Sequence, residues 1–128
     1  MKKLLILIIL FSAIGASAQY SLKFKVNGLK DTTIFLARYL GDKLYYADTA
    51  EAKNGIVEFE NQYDEGVYTL ICPGPKWFEV ILADKEIEME TSISNFITNM
   101  KVKKSINNKS FYDYIKLINE KKNEAKDK

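Results

Sequence analysis

Three glutamates at alternate positions have the spacing that comes closest to acid–base machinery. Glu86, Glu88 and Glu90 lie two residues apart, so in a strand they share one face at intervals of about 7 Å. Paired carboxylates can act as the general acid and base of a glycoside hydrolase. Their alternation with Ile87 and Met89 favours a different interpretation, a solvated strand face that also discourages aggregation between sheet edges.

Other catalytic chemistries are excluded by composition. The 128 residues contain no histidine, one cysteine and six scattered glycines. Nucleophile systems and zinc sites that need histidine are therefore ruled out, and the sequence has no glycine-rich phosphate loop. We expect no catalytic residues, no cofactor and no metal, and hence a protein that is not an enzyme.

The single cysteine, Cys72, ends an apolar run that includes Val67, Leu70 and Ile71. Such a run indicates a strand entering the core, and we predict a buried, inert thiol. A reactive or intermolecular thiol is the alternative, although no second cysteine forms a C-x-x-C pair with it.

Aromatic residues are candidates for binding. Tyr39, Tyr45 and Tyr46 fall on two neighbouring predicted strands, and Trp77 follows a Cys-Pro-Gly-Pro turn. Packing across strands at the edge of the core explains such residues. The alternative is a recognition patch, since Tyr and Trp are enriched at interfaces.

Asp48 and Thr49 stand where the third predicted strand ends. We interpret them as a structural turn or cap in which the aspartate accepts backbone N–H groups. A binding role is the alternative.

Most of the chain has the pattern of short strands separated by turns. Leu22, Phe24 and Val26 alternate with polar residues, as expected for a strand with one buried face. The predicted strands cover residues 21–26, 33–40, 44–49, 56–60, 66–72, 77–82, 86–91 and 96–102. This series predicts a mostly β protein, an antiparallel β-sandwich or open barrel of seven to eight strands with a C-terminal α-helix.

The C-terminal segment changes period. Phe111, Tyr114, Ile115 and Ile118 fall at helical spacing and form one apolar face. The candidate N-caps are Asn107, Asn108 and Ser110. Beyond residue 119 we expect a charged tail that frays or projects into solvent. The apolar face needs a surface to cover, either the sandwich or a partner outside this chain.

The N-terminus has the features of a secretory signal peptide. Two lysines precede apolar residues 4–14, and Ala16-Ser17-Ala18 forms a small-residue cleavage site. We predict cleavage after Ala18 and an exported protein, periplasmic or secreted. Gln19 stands where a lipoprotein needs cysteine. No second apolar run is long enough to span a bilayer, so we expect no stable membrane insertion after cleavage.

Charge is divided unevenly along the chain. Residues 19–100 hold 8 basic and 13 acidic groups, whereas residues 101–128 hold 9 basic and 4 acidic groups. The two parts balance to neutrality, which gives no electrostatic argument for nucleic acid. The asymmetry predicts a boundary near residue 100. We therefore divide the chain into a signal peptide (1–18), a β-sandwich domain (19–102) and an amphipathic helix with a charged tail (103–128).

Several of these segments resemble one family. Asp48-Thr49, Asn54-Gly55, Gly66-Val67-Tyr68, Trp77-Phe78-Glu79-Val80 and the stretches 29–37, 41–50 and 95–103 are similar to the DUF4369-type N-terminal β-domain of exported Bacteroidetes proteins. In that family the domain precedes a helical linker and a thioredoxin-like domain, and residues 111–115 resemble the start of the linker. The likeness covers nearly all of residues 20–118. It implies the fold, export and an accessory role, but no redox residue, because this chain contains neither a thioredoxin-sized second domain nor a C-x-x-C pair.

The leading hypothesis is an exported, non-catalytic accessory or interaction domain. Its partner is expected to be a protein or a thioredoxin-like domain. Its contact surfaces are expected to be an aromatic edge (Tyr45, Tyr46, Trp77) and the helix face (Phe111, Tyr114, Ile115, Ile118). One alternative is that the protein is part of a thiol-disulfide oxidoreductase system. The thioredoxin-like domain of that system would then act in trans, or it would have been lost from this chain by truncation. Another is a module that binds a small ligand or a glycan.

Overall fold

The structure, a computed structural model, describes residues 18–74 and 76–126. Eight strands are followed by one helix. They are β1 (Ala18–Asn27), β2 (Thr32–Leu40), β3 (Lys43–Ala52), β4 (Ile56–Tyr63), β5 (Gly66–Cys72), β6 (Lys76–Leu82), β7 (Glu86–Ser92), β8 (Lys101–Lys104) and α1 (Ile106–Lys126). The predicted signal peptide lies outside the described residues, apart from Ala18. Among the residues that the structure describes, no helix has the length and hydropathy needed to span a membrane.

The strands form two four-stranded sheets. Sheet A has the order β4-β1-β7-β8, and sheet B has the order β3-β2-β5-β6. Within the described residues the sheets are not joined into a closed barrel, so the sandwich alternative of the predicted fold is confirmed. The expectation of purely antiparallel pairing is wrong at one place, because β1 and β7 pair in parallel. After β1 the chain forms β2 and β3 of sheet B and returns to sheet A as β4, antiparallel on one side of β1. It then forms β5 and β6 of sheet B and returns as β7, parallel on the other side of β1.

The core lies between the sheets and follows from period-two alternation. Leu22, Phe24 and Val26 of β1 are buried, while the lysines between them are exposed. Phe24 joins the two layers, since its ring centroid lies 6.2 Å from that of Phe59 in sheet A and 6.0 Å from that of Phe78 in sheet B. Edge-on contacts of this kind stabilise a core beyond the area that they bury.

The last predicted strand, 96–102, is shifted. β8 covers only Lys101–Lys104, and residues 96–99 form turns. The cause is local hydrogen bonding by Asn95, whose side-chain oxygen accepts the Thr98 N–H at 3.0 Å and whose carbonyl accepts the Asn99 N–H at 3.3 Å. An asparagine side chain can bond to nearby backbone N–H groups, which then do not pair with a neighbouring strand. The apolar periodicity of the sequence does not reveal this competition.

Helix α1 begins at a cap different from the three candidates. Ser105 precedes it and has a φ of 134°, and its Oγ accepts the Asn108 N–H at 3.1 Å. The Ser105 hydroxyl also donates to a carboxylate oxygen of Asp84 at 2.5 Å, so the turn between β6 and β7 fixes the start of the helix. The helix continues to Lys126 rather than fraying near residue 119, and residues 119–124 are exposed along it.

Candidate functional site

The outer face of sheet B carries a groove. Its floor is formed by the outward side chains of β5, which are Val67, Thr69 and Ile71, and one wall is formed by Trp77 and Glu79 of β6. The opposite wall and one end are formed by Arg38, Tyr39 and Leu44. This cavity, called the sheet B groove below, has a volume of about 570 Å³. That volume lies within the range of about 300–1,000 Å³ found for small-molecule sites.

The groove is apolar and open to solvent. Tyr39, Val67 and Trp77 are each more than half exposed, at 62%, 55% and 56%. The strand β5 is apolar on both faces, because Tyr68, Leu70 and Cys72 point inward while Val67 and Ile71 point outward. Strands with this composition are normally covered on both sides.

The charged end of the groove is Arg38. Its guanidinium donates to the Tyr68 hydroxyl at 3.1 Å, lies 5.1 Å from the centroid of that ring, and pairs with the Asp64 carboxylate at 3.7 Å. Gly66 makes room for it, because a Cβ there would come within 3.3 Å of the Arg38 guanidinium. The arginine is thus held at the edge of the core rather than free in the groove.

The predicted aromatic edge is only partly brought together. Tyr46 lies opposite Ala37 and Tyr45 opposite Arg38, so the two tyrosines point to opposite faces of sheet B. Tyr46 shares the outer face with the groove and packs on Phe35, with ring centroids 5.3 Å apart. Trp77 is on the same face but on β6, the opposite edge strand of the sheet.

The predicted helix face is adjacent to the groove. Phe111 and Ile115 line a second cavity of about 220 Å³ between β6 and α1, and Trp77 lines both cavities. Ile118 is half-buried, whereas Tyr114 is 61% exposed and lies off the packed face. Tyr112 takes its place, since it is buried and its hydroxyl donates to the Glu79 carbonyl. The helix therefore uses the sandwich itself as the surface that its apolar face needs.

Helix α1 is fixed to sheet B by a buried amide. Asn108 is fully buried, and its side chain accepts the Ile81 N–H at 2.7 Å and donates to the Ile81 carbonyl at 2.8 Å. These are the two bonds that a neighbouring strand would make with β6. Sequence reasoning considered Asn108 only as a cap, because nothing local indicates which strand edge a helical asparagine will meet.

The turn predicted at Asp48 and Thr49 is wrong, since both residues lie within β3. The register of β2 and β3 shifts there, with Leu36 opposite Asp48 and Ala37 opposite Tyr46, so Ala47 is the extra residue of a β-bulge. Asp48 does accept a backbone N–H, that of Thr49 at 2.8 Å, and it also accepts the Tyr63 hydroxyl at 2.5 Å. The carboxylate thus ties β3 to β4 rather than ending a strand.

Cys72 is buried in the core, as the sequence predicts. Burial raises the pKa of its thiol to about 11. A thiol with this pKa is almost entirely protonated at neutral pH, and the protonated form is a poor nucleophile.

The three glutamates belong to a charged lattice on the outer face of sheet A. Lys23 lies between Glu58 on β4 and Glu88 on β7. Glu90 pairs with Lys103 at 2.9 Å, and a hydrogen bond with Lys103 lowers the pKa of the Glu90 carboxyl. A shallow cavity of about 230 Å³ lies beside Glu88 and Glu90, and the lysines Lys23, Lys25 and Lys103 also line it. These neighbouring cations fit the interpretation of a solvated, charge-paired strand face. In the part of the chain that the structure describes, no group of three or more potential ligands is arranged to hold a metal.

The fold and this surface define a two-layer β-sandwich with a C-terminal helix docked on one sheet edge and an exposed apolar groove beside it. The chain belongs to the family described as "Domain of unknown function (DUF4369)", whose model matches residues 20–111. No curated protein and no solved structure matches the chain at a significant level.

Proposed function

We propose that this protein is an exported, non-catalytic binding module whose recognition surface is the sheet B groove. The carrying observation is the difference between the two outer faces. Sheet A is covered by paired charges, whereas sheet B exposes Tyr39, Leu44, Val67 and Trp77 around a cavity of about 570 Å³. Exposed apolar patches of this kind mark interaction sites.

We propose that the partner is a protein, and that it is a thioredoxin-like domain that acts in trans or belongs to a longer parent protein. The resemblance of residues 20–118 to domains that precede such modules supports this partner, and the features of residues 1–18 support export. A redox role for the system then belongs to the partner, because Cys72 is buried with a pKa of about 11. We expect a thiol reagent to modify native Cys72 only after denaturant is added, and rapid modification of the folded protein would contradict this.

Trp77 provides the test of the groove. It is the one tryptophan in the sequence, so its fluorescence reports the groove directly. Titration with a purified thioredoxin-like domain from the same organism should shift the emission, and Val67→Glu should abolish the shift by placing an unpaired charge on the floor of the groove. Glu60→Gln, on the outer face of sheet A, is the matched control and should bind like the wild type. Equal binding by Val67→Glu and the wild type would remove the groove from recognition.

A second candidate function is supported by the composition of the groove. Trp77 and Tyr39 offer aromatic faces, while Thr69 and Glu79 offer polar groups at its floor and in one wall. Apolar walls with a few polar groups are typical of small-ligand sites, and we propose a small ligand or a glycan as the alternative occupant. Titration with oligosaccharides should then shift Trp77 emission, with the same loss in Val67→Glu. Oligosaccharides that leave the emission unchanged, while the thioredoxin-like domain shifts it, favour the protein partner.

A further inference from the structure

Glu79 places a carboxylate without a partner in the wall of the sheet B groove. The residue lies on the outer face of β6 and is partly buried. It lines both the sheet B groove and the cavity of about 220 Å³ between β6 and α1. Within residues 18–74 and 76–126, its carboxylate makes no hydrogen bond and no ion pair. The boundary between the two cavities therefore carries an unpaired negative charge.

The side chains around Glu79 on the outer face are uncharged. Thr69 lies directly opposite it on β5, and Trp77 and Ile81 are its neighbours on the same face of β6. Glu88 on the outer face of sheet A is a useful comparison, since it is also partly buried. Glu88 lies beside a lysine of β1, whereas Glu79 has no cation opposite it in the sheet.

The cations of the surrounding elements are engaged elsewhere. Lys76 of β6 and Lys116 of α1 donate to main-chain carbonyls at 3.2 and 2.6 Å. Arg38, at the end of the groove, pairs with Asp64 at 3.7 Å. The charge of Glu79 is therefore left to solvent, or to a group that comes from outside the described chain.

This charge limits what can cover the groove. A partner that binds there excludes water from the apolar floor and from Glu79 in its wall. Burying an ionised carboxylate without a partner is strongly unfavourable, and a well-oriented cation with hydrogen bonds offsets that loss. The chemistry that fits the groove is therefore an apolar surface that carries one positive charge.

We infer that the protein partner inserts an arginine side chain between Trp77 and Glu79, an inference that rests on the proposed function of the groove. Trp77 is 56% exposed, and its Cα lies about 7 Å along the strand from that of Glu79. A guanidinium stacks on a tryptophan ring and pairs with a carboxylate through two parallel hydrogen bonds. Lysine offers a point charge without this planar fit. The apolar neighbours of the arginine cover Val67 and Ile71.

Two blocked tripeptides test the charge on the wild-type protein. The first is Leu-Arg-Leu, and the second is Leu-citrulline-Leu, which keeps the length and the planar end of arginine but is neutral. The arginine peptide should shift Trp77 emission with a dissociation constant about tenfold lower than that of the citrulline peptide, because hydrogen bonds to charged groups are the stronger ones. Equal affinities would overturn the inference, and so would an arginine peptide that causes no shift up to millimolar concentration.

Glu79→Gln removes the charge and keeps the size of the side chain. It should weaken binding of the arginine peptide by about tenfold and leave the citrulline peptide unchanged. Glu88→Gln is the matched control, since Glu88 is a partly buried glutamate on the outer face of the other sheet, and it should bind both peptides like the wild type. An equal loss for both peptides in Glu79→Gln would contradict a cation site, because Glu79 would then only shape the groove.

Titration with the thioredoxin-like domain separates this inference from the proposed function. Binding that is weakened by both Val67→Glu and Glu79→Gln supports the two together. One guanidinium neutralises one carboxylate, so the new carboxylate of Val67→Glu stays unpaired and its expected loss still holds. Binding that Val67→Glu abolishes and Glu79→Gln leaves unchanged overturns the arginine site alone. Binding that neither variant changes removes the groove from recognition and the arginine site with it.

Discussion

The outer faces of the two sheets both meet solvent, but their side chains differ in chemistry. Each sheet has four strands and one buried inner face, and both sheets contribute side chains to the hydrophobic core. On the outer face of sheet A, Lys23 and Lys25 lie beside glutamates of the neighbouring strands. On the outer face of sheet B, Val67, Ile71 and Trp77 meet solvent around a groove. Sheet A therefore meets water with paired charges, whereas sheet B exposes an apolar surface around the groove.

Helix α1 adds to the difference between the two sheets. It covers the β6 edge of sheet B, and in the described residues no helix lies on the outer face of sheet A. Asn108 and Tyr112 complete the hydrogen bonds of β6, while Phe111 and Ile115 extend the apolar surface beyond Trp77. Helix α1 therefore covers the β6 edge of sheet B, whereas the outer face of the sheet stays exposed.

The largest expected effect comes from removing the bond between α1 and β6. Asn108→Leu keeps a similar volume but leaves the buried N–H and C=O of Ile81 without partners. Each unsatisfied buried group costs about 1–3 kcal/mol, so we expect the free energy of unfolding to fall by about 3 kcal/mol, as measured by urea denaturation. Asn119→Leu, at an exposed position of the same helix, is the matched control and should change stability by less than about 0.5 kcal/mol. Equal effects of the two variants would mean that the amide does not complete the sheet.

Next in size is the contact that holds the start of α1. Asp84 accepts hydrogen bonds from the Ser105 hydroxyl at 2.5 Å and from the Asn107 side chain at 3.2 Å. Asp84→Asn weakens these bonds and removes a negative charge from the helix N-terminus, so it should cost about 1 kcal/mol at pH 7.

This second effect should depend on pH. The Ser105 hydrogen bond lowers the pKa of Asp84 below its ordinary value of 3.8. A carboxyl with a lowered pKa in the folded state stabilises the protein above its unfolded pKa and loses that contribution as the pH falls through the folded value. The difference between the wild type and Asp84→Asn should therefore be constant from pH 7 to about pH 5 and shrink below about pH 4. A difference that persists unchanged at pH 2.5 would show that the carboxylate charge plays no part.

Sequence reasoning reached the sandwich because period-two alternation is clear in several strands, above all in β1 and β7. It failed where the backbone met side chains from far along the chain. Asp48 bonds to Tyr63 and Asn108 bonds to Ile81, and neither pairing has a local signature. The groove had one signal that was available in advance. Residues 67–72 are apolar on both strand faces, which indicates a strand covered on both sides, but the sequence was interpreted only as entering the core. Tyr112 was missed because helical spacing from Phe111 selected Tyr114 instead.

A smaller effect should follow from breaking the charged lattice of sheet A. Lys23→Glu places three glutamates side by side across β4, β1 and β7, because Glu58 and Glu88 lie directly opposite position 23. Like charges opposite each other are unfavourable, and we expect a loss of about 1 kcal/mol at low salt. In 1 M NaCl, where the Debye length is about 3 Å, most of this loss should disappear. Lys23→Gln is the control without repulsion and should show little dependence on salt, and a loss for Lys23→Glu that salt leaves unchanged would point to altered packing.

The smallest effect on stability is expected at the floor of the sheet B groove. Val67 is 55% exposed, so Val67→Glu should change the free energy of unfolding by less than about 0.5 kcal/mol, whereas it should abolish the Trp77 emission shift on binding. Val67→Thr is the matched control, because it keeps the β-branched shape and the strand preference and should retain binding. A large loss of stability in Val67→Glu would make this face a part of the core rather than a recognition surface. Normal stability together with normal binding would remove the functional difference between the two outer faces, since a charge would then be tolerated on sheet B as it is on sheet A.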